Sequence, residues 1–83
     1  MSEAETDQWE VRVKNGPINL FDWVRNVFME ILGCDAESAL AMAKQIHTEG
    51  ETVVWTGARA ECEERAYSLQ DHGLHAVIVR VVT

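Results

Sequence analysis

The stretch VKNGPINLFDWV, residues 13–24, joins two different apolar patterns and so decides the fold class. Before it, WEVRV at 9–13 alternates apolar and polar residues, which is the period of a half-buried strand. After it, apolar residues recur at helical spacing. Gly16 and Pro17 separate the two patterns, because Pro17 lacks the amide hydrogen that a strand needs. The stretch therefore predicts a strand, a loop whose backbone and amide groups could hold a ligand, and a helix.

Two consecutive helices are predicted after this loop. Asn19 is a suitable N-cap for the first, and Gly33 is a suitable C-cap. Asp35 is a suitable N-cap for the second, which runs out near Gly50. The apolar residues predicted to face inward are those at 20, 23, 24, 27, 28 and 31 in the first helix, and Ala39, Met42, Ala43 and Ile46 in the second.

The remaining half of the chain predicts a strand, a helix and a strand. ETVVW at 51–55 reads as a short strand that Thr56 and Gly57 break, and these two residues can cap a third helix. Its buried side is predicted to carry Ala58, Cys62, Ala66 and Leu69. HAVIVRVV at 75–82 is nearly continuously apolar, which favours a central, covered strand.

The whole pattern predicts one small α+β domain at 8–83, preceded by a flexible acidic tail at 1–7. The element order is strand, helix, helix, strand, helix, strand. We expect a three-stranded antiparallel sheet with the helices packed on one face.

Charge and composition exclude several classes of function. Seven Lys and Arg against fourteen Asp and Glu give a net charge of −7, and the basic residues are scattered, so nucleic acid is not expected as a partner. No apolar run reaches the length of a membrane span, and we expect no signal peptide at the start of the chain. Cys34 and Cys62 have no metal or redox spacing. We expect a cytoplasmic monomer with reduced cysteines and no metal or cofactor.

Motifs for catalysis are missing from the sequence. There is no P-loop, dinucleotide fingerprint, nucleophile elbow or metal-ligand spacing.

Glu61 and Arg65 are spaced for an ion pair on an exposed helix face. His72 and His75 flank a turn and are expected to face solvent. His47 ends the second helix, where a histidine can interact with the helix dipole, pack against the core or contact a ligand.

Two motifs in this order resemble those of the ClpS family, the adaptors that hand N-degron substrates to Clp-type proteolytic machines. The first is H-x-E-G within IHTEG at 46–50, and the second is the run AECEERA at 60–66. The Asn-containing loop after the first strand is a further point of similarity, and the resemblance as a whole covers about residues 8–82. The fold of that family is related to the C-terminal domain of the ribosomal stalk protein.

The resemblance implies a site for the free α-amino group and the bulky first side chain of a substrate. By position, Asn15 and His47 match the family's asparagine and histidine, which contact the ammonium group. The residues matched to the remaining lining of the site are Asn19, Phe21, Val24, Ala43 and Ile46. Gly16 and Pro17 replace the two acidic residues of the family loop, and Ala43 replaces a methionine that restricts which side chains enter.

A second surface follows from the same resemblance. ClpS proteins dock on the N-terminal domain of a Clp ATPase of the ClpA or ClpC class, and Arg65 matches one basic contact of that surface. An acidic contact of the family falls near Ala60. The resemblance therefore implies a non-catalytic adaptor with altered or weakened N-degron specificity.

Two alternatives remain open at this point. One is a protein–protein interaction or regulatory module of the same fold that binds no N-degron. The other is an enzyme that uses His47 and a nearby carboxylate as an acid–base pair, although no motif supports it. A closed, filled groove between the first two helices would favour the interaction module.

Overall fold

The computed structural model describes residues 8–16 and 21–81. Its elements are β1 (Gln8–Lys14), α1 (Phe21–Leu32), α2 (Ala36–Glu49), β2 (Glu51–Gly57), α3 (Arg59–Asp71) and β3 (His75–Val81). This is the predicted order of an α+β domain. The predicted tail at 1–7, and the predicted roles of Pro17 and Asn19, lie outside the described residues.

The three strands form an antiparallel sheet in the order β2-β1-β3. Val11 of the central strand lies opposite Trp55 and Ile78. The pairing register of β1 with β2 shifts between Val11 and Arg12, as in a β-bulge. The prediction that β3 is the central strand is wrong, since it lies at the edge and Val79 is only half-buried.

The core lies between the sheet and the helices. Five of the six elements supply buried apolar residues to it, and β2 contributes the partly buried Val54 and Trp55. The buried apolar residues are Val11, Val13, Val24, Val27, Phe28, Ala39, Ala43, Ile46, Cys62, Ala66, Leu69, Leu74 and Ala76. The predicted inward faces of the three helices are confirmed at most positions. The exceptions among the described residues are Trp23, which is 46% exposed, Ile31 and Met42, which are half-buried, and Ala58, which is exposed and precedes α3. Predicted position 20 lies outside the described residues.

Local signals at the helix ends behave largely as predicted. Asp35 accepts a hydrogen bond from the backbone N–H of Ser38 at 2.9 Å, so it is the N-cap of α2. Gly33 and Gly50 follow α1 and α2 with positive φ angles of 70° and 87°, which glycine adopts readily.

The end of β2 differs from the prediction that Thr56 and Gly57 break the strand. β2 continues through both residues, because Thr56 pairs with Glu10 and Gly57 pairs with Trp9 in the central strand. Ala58 therefore takes the N-cap position of α3, without a side-chain hydrogen bond. Within the described residues, no helix is long and apolar enough to cross a membrane.

Candidate N-terminus-binding site and docking surface

The loop after β1 is attached to the end of α2. The backbone N–H of Asn15 donates a hydrogen bond of 2.8 Å to the carbonyl oxygen of Gly50. Gly50 in turn donates its own N–H to the carbonyl oxygen of Ile46 at 2.9 Å, which closes the helix. The position of Asn15 is thus set by the same glycine that ends α2.

His47 lies in the last turn of α2 and is exposed, as is Asn15. The last carbonyl groups of a helix carry partial negative charge, so this end of α2 favours a cation. A neutral imidazole also offers one nitrogen as a hydrogen-bond acceptor. The loop that carries Asn15 and the helix turn that carries His47 therefore meet at Gly50. The acceptors at this junction suit an ammonium group.

The apolar residues matched to the side-chain pocket are brought together, but they are almost closed off. α1 packs against α2. Val24, Ala43 and Ile46 are 5%, 4% and 5% exposed and belong to the core. Phe21, at the start of α1, is 38% exposed.

Gly16 is half-buried, and the remaining two predicted residues of the loop, Pro17 and Asn19, are not among the described ones. The described part of the site therefore has an exposed polar rim and an apolar side that presents little surface to a ligand.

Arg65 lies on α3, away from this loop in the sequence, and it is only half-exposed. Its Cζ atom lies 3.6 Å from the centroid of the Trp55 ring, and its Nη1 donates to the backbone carbonyl of Glu61 at 3.3 Å. The predicted Glu61–Arg65 ion pair is therefore wrong. Arg59 and Glu63 form the ion pair of this helix, at 2.8 Å between Nε and Oε1.

The other two histidines differ from each other. His75 is exposed, as predicted. His72 is half-buried, with its Nδ1 2.8 Å from the carbonyl oxygen of Ser68, so the prediction that it faces solvent is wrong. The indole N–H of Trp23 donates to the carbonyl oxygen of His72 at 3.1 Å, which links the start of α1 to the end of α3.

Sequence reasoning did not find a polar groove between α2 and β2. It has a volume of about 310 Å³ and is lined by Arg12, Gln45, Glu49, Glu51, Thr52 and Val53. Arg12 forms ion pairs with Glu10 at 2.6 Å and with Glu51 at 3.4 Å, and its hydrogen bond with Glu10 raises its pKa. Among the described residues, no group of three or more His, Cys, Asp or Glu side chains could hold a metal ion.

Comparison with known proteins identifies the family. The family model "ATP-dependent Clp protease adaptor protein ClpS" matches residues 4–77. ClpS adapter proteins of Corynebacterium aurimucosum and Nocardia farcinica are 35% and 33% identical over 78 residues, which is 94% of this chain and 70% and 74% of theirs. The ClpS adapter protein of Streptomyces coelicolor is 31% identical over 70 residues, which is 84% of this chain and 73% of that protein.

A solved structure agrees with the fold. Agrobacterium tumefaciens ClpS2 bound to L-phenylalaninamide superposes with a TM-score of 0.87 and 17% identity, covering 92% of this chain and 99% of that one. The match of the family model over most of the chain and the identity to the three ClpS adapter proteins are the stronger findings. The chain belongs to the ClpS family, the adaptor proteins of the ATP-dependent Clp protease.

Proposed function

We propose that this adaptor binds the N-termini of substrate proteins at the rim formed by Asn15 and His47, with weakened or altered specificity. The observation that carries this proposal is the 2.8 Å hydrogen bond from Asn15 to Gly50, because it brings the loop to the end of α2 that carries His47. A related protein, ClpS2 of Agrobacterium tumefaciens, has been solved with L-phenylalaninamide bound. That compound has a free α-amino group and a bulky aromatic side chain.

The weakened specificity follows from the loop sequence. Gly16 and Pro17 supply no carboxylate. An ammonium group that is partly removed from water needs either a carboxylate or several neutral hydrogen-bond acceptors. A charge-assisted hydrogen bond is worth about 1.5–3 kcal/mol, so each missing contact lowers affinity by roughly ten- to a hundredfold. The partial negative charge at the end of α2 remains, and it attracts a cation less strongly than a full carboxylate does.

Docking on a Clp ATPase is the second part of the proposal. Arg65 is the residue we assign to this contact, with the N-terminal domain of a ClpA- or ClpC-class ATPase as its partner. The protein would then act in the cytoplasm and would either present substrates to the ATPase or compete with another adaptor for it. Catalysis has no place in this function, in keeping with the adaptor role of the family.

A fluorescence-polarisation titration tests the N-terminus site. The peptides differ only in their first residue, and each is prepared with a free and with an acetylated N-terminus. We expect a preference for a free N-terminus before a bulky residue, which His47→Ala abolishes. His75→Ala is the matched control, because His75 is an exposed histidine at the start of β3 and should leave the titration unchanged.

One observation favours a second candidate, an interaction module of the same fold that binds no N-degron. Val24, Ala43 and Ile46 are at most 5% exposed, so a bulky side chain would have to displace packed atoms to enter between α1 and α2. Equal affinity for all the peptides, acetylated or free, would favour this candidate and refute N-degron binding. Docking on the ATPase would then be the remaining function to measure.

A further inference from the structure

Two tryptophans of the sheet lie beneath arginines of α3. Arg59 has its Cζ atom 4.9 Å from the centroid of the Trp9 ring, and Arg65 has its Cζ atom 3.6 Å from that of Trp55. Both indoles are half-buried. The distance makes Trp55–Arg65 the tighter of the two cation–π contacts, since the attraction acts within about 6 Å and strengthens as the cation approaches the ring face.

The two arginines differ in how their charge is balanced. Arg59 has a carboxylate partner, because its Nε lies 2.8 Å from Oε1 of Glu63. Arg65 has no carboxylate partner among residues 8–16 and 21–81. Its Nη1 donates to the backbone carbonyl of Glu61, and its Nε is buried without a hydrogen-bond partner in the same part of the chain.

Arg65 is therefore an oriented cation whose charge is not neutralised by any carboxylate of the described residues. The chain carries twice as many acidic as basic residues, fourteen against seven, so carboxylates are abundant. A guanidinium has five N–H donors, and within the described residues only one of those of Arg65 has a protein acceptor. The donors that remain on its Nη atoms suit a carboxylate of another molecule, since that pair is charge-assisted and has a matching planar geometry.

We propose that Trp55 is a positioning residue for docking, which holds Arg65 in the orientation that receives a carboxylate of the Clp ATPase. This inference rests on the proposed docking role of Arg65. Stacking on Trp55 restricts the long side chain before the partner arrives, so less conformational entropy is lost on binding. Arginine and tryptophan are also the residue types most enriched at the energetic centres of protein interfaces.

Binding to the purified N-terminal domain of the Clp ATPase from the same organism, measured by calorimetry, tests the proposal. Trp55→Leu should weaken binding by about three- to thirtyfold, the range of a partly desolvated cation–π contact. Trp55→Phe should recover part of the loss, because it keeps an aromatic face. Trp9→Leu is the matched control and should change little, because Arg59 above Trp9 already has Glu63.

The double variant decides whether Trp55 acts through Arg65. Arg65→Ala should weaken binding, and adding Trp55→Leu to it should cause no further loss, as expected for two residues that act as one unit. An equal loss from Trp55→Leu in both backgrounds, or an equal loss from Trp9→Leu, would overturn the positioning role and leave docking intact. Wild-type protein that does not bind at all would overturn docking, and the positioning role with it.

A second measurement checks the premise without the partner. In the free protein, stacking on Trp55 should shift the NMR resonances of the Arg65 side chain upfield through the ring current. That shift should disappear in Trp55→Leu and persist in Trp9→Leu. Circular dichroism and thermal melting of each variant confirm that the domain is still folded. A folded wild type without the shift would contradict the proposal directly.

Discussion

Asn15 and Gly50 are joined by a backbone hydrogen bond of 2.8 Å, with Asn15 as donor. Asn15 follows β1 and Gly50 follows α2, so this bond fixes the loop after the central strand against the end of a helix. Lys14 pairs with Glu51 immediately beside it, which continues the ladder of β1 and β2 up to the bond. The proposed N-terminus site is therefore built on a junction of two regular elements.

Gly50→Ala should weaken both stability and peptide binding. Gly50 has a φ angle of 87°, and an added Cβ atom would meet no atom within 4 Å, so the cost is conformational. We expect the free energy of unfolding to fall by about 1 kcal/mol in urea titrations. Because Asn15 is anchored on Gly50, the affinity for a free N-terminus should fall as well.

Gly33→Ala is the comparison for this variant. Gly33 has a φ angle of 70° and equally open space around it, but it lies between α1 and α2. It should cost a similar free energy of unfolding and leave peptide affinity unchanged. Equal peptide affinity of both variants would show that the Asn15–Gly50 bond does not shape the site.

Gly16→Asp should strengthen binding of a free N-terminus. The substitution places a carboxylate in the loop directly after Asn15, where it can pair with an ammonium group. One charge-assisted hydrogen bond predicts a gain of roughly ten- to a hundredfold in affinity. Gly16→Asn has nearly the same size without the charge and should gain much less. If acetylated peptides gain as much as free ones, the ammonium group is not bound there.

The N-cap of α2 should make stability depend on pH in the acid range. Hydrogen bonds from the side chain and the backbone N–H of Ser38 lower the pKa of Asp35. Its stabilising contribution is therefore complete above the pKa of the unfolded chain, about 4, and is lost as pH falls through the lower pKa of the folded state.

Asp35→Asn isolates this contribution, since asparagine also caps helices but carries no charge. Urea midpoints measured from pH 7 down to pH 2 should show wild type above the variant at neutral pH, with the difference shrinking in acid. A difference that does not change with pH would contradict the lowered pKa of Asp35.

The two cysteines should react at different rates in the folded protein. Cys62 is fully buried and Cys34 is half-buried, and burial raises the pKa of both thiols. With a thiol reagent at neutral pH, Cys34 should react slowly and Cys62 only as the domain unfolds. The variants Cys34→Ala and Cys62→Ala each leave a single cysteine, so they assign the two reaction rates. In guanidinium the domain is unfolded, and the two rates should become equal. Fast native reaction in Cys34→Ala would contradict the burial of Cys62.

Local patterns predicted much of the fold. Alternation at 9–13 and helical spacing within 20–31, 39–46 and 62–69 identified β1 and the buried faces of the helices, because each pattern depends only on near neighbours in the sequence. Asp35, Gly33 and Gly50 marked helix ends for the same reason. The motifs at the end of α2 and in α3 also identified the family, which the comparisons confirm.

The candidate site was predictable only as a set of positions. Its residues came from the resemblance, and their roles remain predictions. Neither spacing nor composition indicated that Asn15 is bonded to Gly50, because that bond joins distant parts of the chain. The burial of Val24, Ala43 and Ile46 in the core was also not predictable, because it depends on how α1 packs against α2.

The amino-acid sequence by itself determined which segments are helices or strands and which faces are apolar, since those properties follow from backbone period and side-chain type. Only the tertiary structure decided which strands are neighbours and which side chains meet across them. The apolar β3 lies at the edge because β1 pairs on both sides. Arg65 lies on the Trp55 ring and donates to the backbone carbonyl of Glu61, because tertiary packing places an indole of the sheet against its guanidinium.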